Sequence, residues 1–137
     1  MVDFDEIKEQ LKCDEGFSSK PYRCSAGKLT IGHGRNLDDV GITAEEADYL
    51  LNNDIVDCYS TLDRNFTWFT GLSEQLQGVL INMCFNLGFS RLLTFRKMLA
   101  AFSASDFTAA AKEMKNSDWY RQVGPRADRL IHVVGCL

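Results

Sequence analysis

No stretch of this chain approaches the roughly 20 apolar residues that a membrane-spanning helix needs, so the sequence reads against an integral helical membrane protein. The first residues include Asp3, Asp5, Glu6, Lys8 and Glu9, which interrupt any apolar core of a signal peptide. The five cysteines, Cys13, Cys24, Cys58, Cys84 and Cys136, are odd in number and scattered. They lack the paired spacing of a zinc site or of a secreted disulfide framework, which points to a chain made and kept reduced in a cytoplasm. Positive charge is also short: 15 Lys and Arg face 19 Asp and Glu, a formal net charge of -4. That balance gives no electrostatic footprint for nucleic acid or an anionic membrane surface. It helps little toward an anionic cell wall either, although Arg121, Arg126 and Arg129 gather after Trp119 and leave a local positive lining open. No internal repeat is visible.

What is present suits one globular domain. A chain of 137 residues, 45% hydrophobic and 25% charged, can bury a core without disulfides or metal. Phe4, Ile7 and Leu11 recur at helical spacing behind Asp3 and Glu6, an N-cap and its capping-box partner, which predicts a helix over 4–15 closed by Gly16. Thr43-Ala44-Glu45-Glu46 is a second capping box and opens a long amphipathic helix over about 44–63. Ser73 caps a strongly apolar helix that ends at Gly88, and its apolar breadth predicts the centre of a helical lobe over about 72–137. Shorter helices are expected at about 91–102, 105–116 and 125–134, the last with Pro125 in its first turn and Gly135 at its end. Trp68 and Phe69, in a connection between helices, read as core caps.

The segment from Asp14 to Gly34, DEGFSSKPYRCSAGKLTIGHG, carries the chemistry. Glu15 ends the first helix, where the negative end of the helix dipole disfavours ionisation, and partial burial beside Phe17 would push the same way. Both favour a proton donor. Residues 20–31 read as a short hairpin whose turn, Cys24-Ser25-Ala26-Gly27, contains glycine, with Thr30 facing away from Leu29 and Ile31. Such a hairpin can hold Cys24 and Thr30 across a groove from Glu15, with room for a sugar ring and a water. A free thiol is a weak base at neutral pH, so a base at Cys24 requires something that lowers its pKa: Arg23, Lys28 or a turn amide. The plainer readings are a solvated carboxylate for Glu15, a small packed turn residue for Cys24 and an ordinary strand residue for Thr30.

The spacing of Glu15, Cys24 and Thr30 resembles the catalytic signature of phage-type lysozymes of the T4 class, in which the middle position is Asp or Cys. The resemblance continues through Thr30-Ile31-Gly32-His33-Gly34, Leu80-Ile81-Asn82-Met83-Cys84-Phe85-Asn86-Leu87-Gly88, Trp119-Tyr120-Arg121-Gln122 and Arg126-Ala127-Asp128-Arg129, and so covers nearly the whole chain in order. It implies an α+β, mainly α fold with two lobes: a small hairpin sheet over about 16–42, the long connecting helix, and the helical lobe with the 4–15 helix packed on it. It also implies Glu15 as general acid, Cys24 and Thr30 as the groups that activate and hold water on the opposite face of the sugar, and Arg126 as a partner of the glutamate. Asn82, Asn86, Trp119 and Gln122 are expected to line or support a groove, and Gly32 and Gly34 to let backbone approach a sugar. The commonest family pattern has histidine after the second glycine; here Arg35 holds that place. His33 lies between the glycines, so a hydrogen bond within the hairpin is expected of it rather than catalysis.

The resemblance therefore implies a peptidoglycan hydrolase that cuts the β-1,4 bond between N-acetylmuramic acid and N-acetylglucosamine with inversion, monomeric and without a metal or organic cofactor. Its setting would be a phage or prophage endolysin that accumulates in the host cytoplasm and reaches the wall after a holin opens the inner membrane. Two rivals stay open: a lytic transglycosylase, which closes a 1,6-anhydro ring instead of using water, and a glycan-binding protein that kept the fold and lost catalysis.

Overall fold

The computed structural model describes residues 1–136. They form two units, Met1–Tyr49 and the described residues from Leu50 onward, with the division falling inside the longest helix. The fold is α+β and mainly α, with eight helices and one small antiparallel sheet among the described residues.

In the first unit, helix α1 (Phe4–Glu15) starts where Asp3 accepts hydrogen bonds from the amides of Asp5 and Glu6 at 3.0 and 3.2 Å. It ends at Gly16, whose φ of +72° turns the chain out of the helix while its N–H still reaches the Lys12 carbonyl. The stripe of Phe4, Ile7 and Leu11 that shapes this helix is not buried by the first unit. Strands β1 (Ser18–Arg23), β2 (Leu29–Gly32) and β3 (Arg35–Asn36) follow in sheet order β1-β2-β3. The expected hairpin is thus extended by a third strand, too short for sequence alternation to reveal. The β1–β2 register runs Arg23 to Leu29 and Tyr22 to Thr30, then shifts before Ser18 meets Gly32. Pro21 lies in that irregular stretch, where a residue without an N–H is tolerated. The turn closes as expected: the Gly27 amide donates to the Cys24 carbonyl at 2.8 Å, and the Cys24 amide to the Lys28 carbonyl at 2.9 Å.

Helix α2 (Ala44–Asn65) opens with the full reciprocal capping box: the Glu46 amide donates to Thr43 Oγ1 and the Thr43 amide to Glu46 Oε1. Past Tyr49 the chain belongs to the second unit. There a short 3-10 turn, Phe69–Gly71, precedes helices α3 (Glu74–Leu87), α4 (Phe89–Leu92), α5 (Arg96–Ser103), α6 (Phe107–Lys115), α7 (Asp118–Val123) and α8 (Pro125–Gly135). Helix α3 supplies Leu76, Val79, Leu80, Met83 and Cys84 to a core completed by Leu62, Phe69, Leu92, Met98, Phe102, Met114, Ala127 and Val134. Phe69 is inside that core rather than capping it, while Trp68 stacks between Phe66 and Phe102.

Two expectations for this unit are corrected. The single helix over 91–102 is broken between Leu92 and Arg96. Thr94 donates its hydroxyl to the Arg91 carbonyl at 2.6 Å, and the amides of Thr94 and Phe95 bond three residues back, to Arg91 and Leu92. A side chain that competes for a helical carbonyl in this way ends the α pattern. Helix α7 was not anticipated, although Ser117 caps it through the Tyr120 amide and Gly124, at φ +54°, ends it. The Asp128 carboxylate of α8, beside the Tyr120 hydroxyl of α7, holds that phenol above its usual pKa. No described helix is long and apolar enough to cross a membrane.

Candidate active site

Glu15, Cys24 and Thr30 all lie in the first unit, on the end of α1, the β1–β2 turn and strand β2. The turn between β2 and β3 is fastened to the end of α1 at two points. His33 Nδ1 stands 2.7 Å from the Gly16 carbonyl, and its ring tilts against Phe17 with centroids 5.4 Å apart. A carbonyl only accepts, so Nδ1 carries the proton and donates. The expected local bond of His33 is therefore made outside the hairpin, to the residue that ends α1.

The second point is Gly34. A Cβ built on it would stand 2.8 Å from Glu15 Oε2, 3.0 Å from Cδ and 3.1 Å from Cγ. The carboxylate of Glu15 thus rests on the bare Cα of Gly34, whose φ of +78° also favours glycine. Glu15 is exposed and Phe17 is 71% exposed, so the partial burial expected beside Phe17 is absent. An outward ring in the connection before β1 cannot shield its neighbour. Gly32, at φ +70°, has open space where its side chain would be.

Arg35 supplies a further clamp. Its guanidinium bonds Glu46 through both oxygens, at 2.8 and 2.6 Å, and also donates to the Gly41 carbonyl at 3.1 Å. These bonds, with the Thr43 amide, hold the Glu46 carboxyl down to about 2. A planar, bidentate cation thus ties β3 to the first turn of α2 at the position where the family commonly has histidine.

Cys24 sits at the first corner of its turn, half-buried. Its thiol is held below the ordinary value by the Lys28 backbone amide first and the Ala26 amide next, against the opposing effect of burial, with lesser help from the Thr30 hydroxyl and its own amide. Of the three sources left open by the sequence, the turn amide is the one in place. The charged groups are engaged elsewhere: Arg23 donates to the Gly27 carbonyl and pairs with Asp38, while Lys28 pairs with Asp39. Thr30 is only 4% exposed, and its hydroxyl lies 2.9 Å from the Lys28 carbonyl, to which it donates. Lys28 therefore links the two residues through its backbone, since its carbonyl also accepts from the Cys24 amide and its amide serves the sulfur. Sequence reasoning named Lys28 as a charge and missed it as a peptide group; no residue type signals that.

In the second unit, Asn82 and Asn86 lie one turn apart on α3, and each accepts a side-chain hydrogen bond. Arg126 Nε reaches Asn82 Oδ1 at 2.8 Å, and Trp119 Nε1 reaches Asn86 Oδ1 at 3.0 Å. The partner of each asparagine oxygen is thus a side chain, and each asparagine keeps its amide NH2 as a donor to offer. Trp119 is 2% exposed and so supports rather than lines a surface. Gln122 is exposed on α7. Beside Trp119 a cavity of about 450 Å³ is lined by Leu87, Phe95, Arg91, Arg96 and Lys97 among others. Among the described residues no cluster of His, Cys, Asp and Glu is arranged to hold a metal ion.

A mainly helical α+β chain that sets a glutamate at the end of its first helix beside a three-stranded sheet carrying a thiol and a threonine has the build of a lysozyme-type hydrolase. Residues 12–132 match the phage lysozyme family, and the chain belongs to that family of peptidoglycan-hydrolysing glycosidases. It is similar to the probable T4-type lysozyme 1 of Dictyostelium discoideum, with 31% identity over 93% of this chain and 92% of that one. It is similar also to the endolysin of Acyrthosiphon pisum secondary endosymbiont phage 1, with 29% identity over 75% of this chain and 70% of the relative. The pre-baseplate central spike protein of Enterobacteria phage T4 matches at 28% identity over 93% of this chain but only 27% of its own length.

Proposed function

We propose that this lysozyme cleaves the β-1,4 bond between N-acetylmuramic acid and N-acetylglucosamine by a single displacement with inversion. Glu15, as the neutral acid, gives its proton to the glycosidic oxygen as the bond to an oxocarbenium-like carbon lengthens. Cys24, as thiolate, takes a proton from a water on the opposite face of the ring, and that water becomes the new anomeric hydroxyl. One proton leaves the acid and one reaches the base, so exchange with solvent resets both groups. Thr30 acts on the water through Cys24, by holding the thiolate. Gly34 fixes the carboxylate of Glu15, and the donors of Asn82, Asn86, Gln122 and Arg126 serve the glycan. No metal or organic cofactor takes part.

The observation that carries this reading is the place of Cys24 at the corner of a hydrogen-bonded turn beside the buried Thr30, where backbone amides hold its thiol below the ordinary value and the neighbouring cations are paired elsewhere. A thiol that only packs has no need of a lowered pKa, whereas a base does. The test is mass spectrometry of fragments released from purified peptidoglycan by the reduced wild-type protein, beside Glu15→Gln and Cys24→Ser. Reducing muramic acid ends that vanish in both variants, with the α-anomer as first product by NMR, are expected. Anhydro ends would indicate a lytic transglycosylase. Binding without fragments would indicate an inactive glycan-binding protein.

For the biological setting we propose host lysis. The enzyme would act as a monomer, accumulate in the host bacterial cytoplasm and reach the periplasmic wall through a holin, without binding nucleic acid or membrane. Similarity to an endolysin supports this route. Expression in a bacterial host should clear the culture only when a holin is expressed with it; clearing by the enzyme alone would overturn the proposed dependence on a holin.

A further inference from the structure

The turn that carries Gly34 also carries His33, a residue to which the proposed chemistry gives no part. Three contacts join this turn to the end of α1. The Glu15 carboxylate rests on Gly34, the Gly16 carbonyl accepts from His33 Nδ1 at 2.7 Å, and the Phe17 ring lies against the imidazole with centroids 5.4 Å apart. Gly16 closes α1, so its carbonyl lies at the negative end of the helix dipole and is a strong acceptor. Strand β1 starts later, at Ser18, so this carbonyl falls between helix and sheet, and the imidazole serves it. The turn that His33 pulls against is itself fixed, because Arg35 is bonded to Glu46 and to the Gly41 carbonyl.

We propose that His33 is a positioning residue for the hydrolysis: its Nδ1–H holds the end of α1 on the β2–β3 turn and thereby keeps the Glu15 carboxylate on Gly34. This rests on the reading of Glu15 as the general acid. Gly34 alone cannot do the work, since a bare Cα offers a flexible, exposed carboxylate room but no bond. The bond from His33 falls on the backbone next to Glu15, so it fixes the point from which that side chain reaches out. Geometry then sets what the position between the glycines requires, a short planar donor with its N–H next to Cγ. Asparagine carries an N–H at the place of Nδ1, and leucine has similar bulk with no donor.

The test is steady-state kinetics of reducing-end release by wild type, His33→Leu, His33→Asn and Glu15→Gln, each checked for folding by circular dichroism. His33→Leu should lower kcat about fivefold, the effect of roughly one hydrogen bond, with KM unchanged. His33→Asn should recover most of the wild-type kcat. Long-range 1H–15N NMR of the neutral imidazole should show the Nδ1–H tautomer, with His132→Gln used to assign the other histidine. The tautomer decides the bond even where the leucine variant does not fold. Unchanged kcat in a folded His33→Leu, an asparagine variant as slow as the leucine one, a rise in KM alone, or the Nε2–H tautomer would each overturn the positioning role. Activity kept by Glu15→Gln would overturn the reading of Glu15 and this inference with it. An inactive Glu15→Gln beside a fully active His33→Leu would overturn this inference alone.

Discussion

Replacing Gly34 by alanine tests whether the position of Glu15 against the β2–β3 turn is the working one. The substitution does two separable things. It places an L side chain at φ +78°, which costs about 1–2 kcal/mol of stability, and it puts a methyl group 2.8 Å from the Glu15 carboxylate oxygen. Glutamate is flexible and ends α1, so the carboxylate can swing aside at small energetic expense, but it then no longer occupies its place. Misplacement of a catalytic group by about 1 Å lowers rate on the order of 100-fold. Gly88→Ala is the matched control, because Gly88 has φ +83° and open space around its missing Cβ. Both variants should lose about 4–8 °C in a circular-dichroism melt. Only Gly34→Ala should lose about 100-fold in the initial rate of reducing-end release. Full activity in a folded Gly34→Ala would mean that the carboxylate does not work from this place, and equal activity losses in the two variants would trace the effect to strain alone.

The other predictions concern the clamps around the site. Thr30→Val removes one of the donors that hold the Cys24 thiol down, so the midpoint of its alkylation rate against pH should move to higher pH than in the wild type; an unchanged midpoint would remove the hydroxyl from the thiol's environment. The Glu46 carboxyl, depressed to about 2 by Arg35, contributes stability that is present above its ordinary value of 4.5 and is lost as pH falls through its folded value. The melting-temperature advantage of wild type over Glu46→Gln should therefore shrink steadily from pH 4.5 to pH 2, and a constant difference would contradict the ion pair as its source. Trp119→Phe keeps a buried aromatic but deletes the bond to Asn86, for a loss of about 1 kcal/mol in urea unfolding; no loss would mean that the bond carries no net stability.

Legibility from sequence followed the range of the interactions. Helices α1, α2, α3 and α8 were readable because their signals are local: Asp3, the Thr43–Glu46 box, Ser73 and Pro125 each act within one turn. The break at Thr94 was not readable, since a threonine that takes the carbonyl three residues back is common inside helices that do not break. Strand β3 has two residues and no periodicity to detect. In the site, the spacing of Glu15, Cys24 and Thr30 marked them as candidates, but their surroundings depend on groups with no sequence signature. Gly34 touches Glu15 across 19 positions of chain, and the donors on Cys24 are peptide amides that any residue could supply. Glu46 was legible as a cap, whereas its second function, as the partner of Arg35, came only with the turn that brings β3 to it.

The base role proposed for Cys24, in a place where the family also uses aspartate, calls for a physical reason, and the turn supplies one. An aspartate is ionised at neutral pH in almost any setting, so it demands little of its surroundings. A cysteine must be brought to its thiolate, and nearby cations would do that at a price in function, because they would also attract the water's developing negative charge away from the base. Neutral donors avoid the conflict. Amide N–H groups and a hydroxyl stabilise the thiolate at short range and leave little field beyond it, while Asp38 and Asp39 draw Arg23 and Lys28 away. The burial of Thr30 serves the same end, since a hydroxyl shielded from bulk water keeps its one proton on the Lys28 carbonyl and so steadies the peptide that faces the sulfur. The turn thus does for a thiol what ionisation already does for a carboxylate.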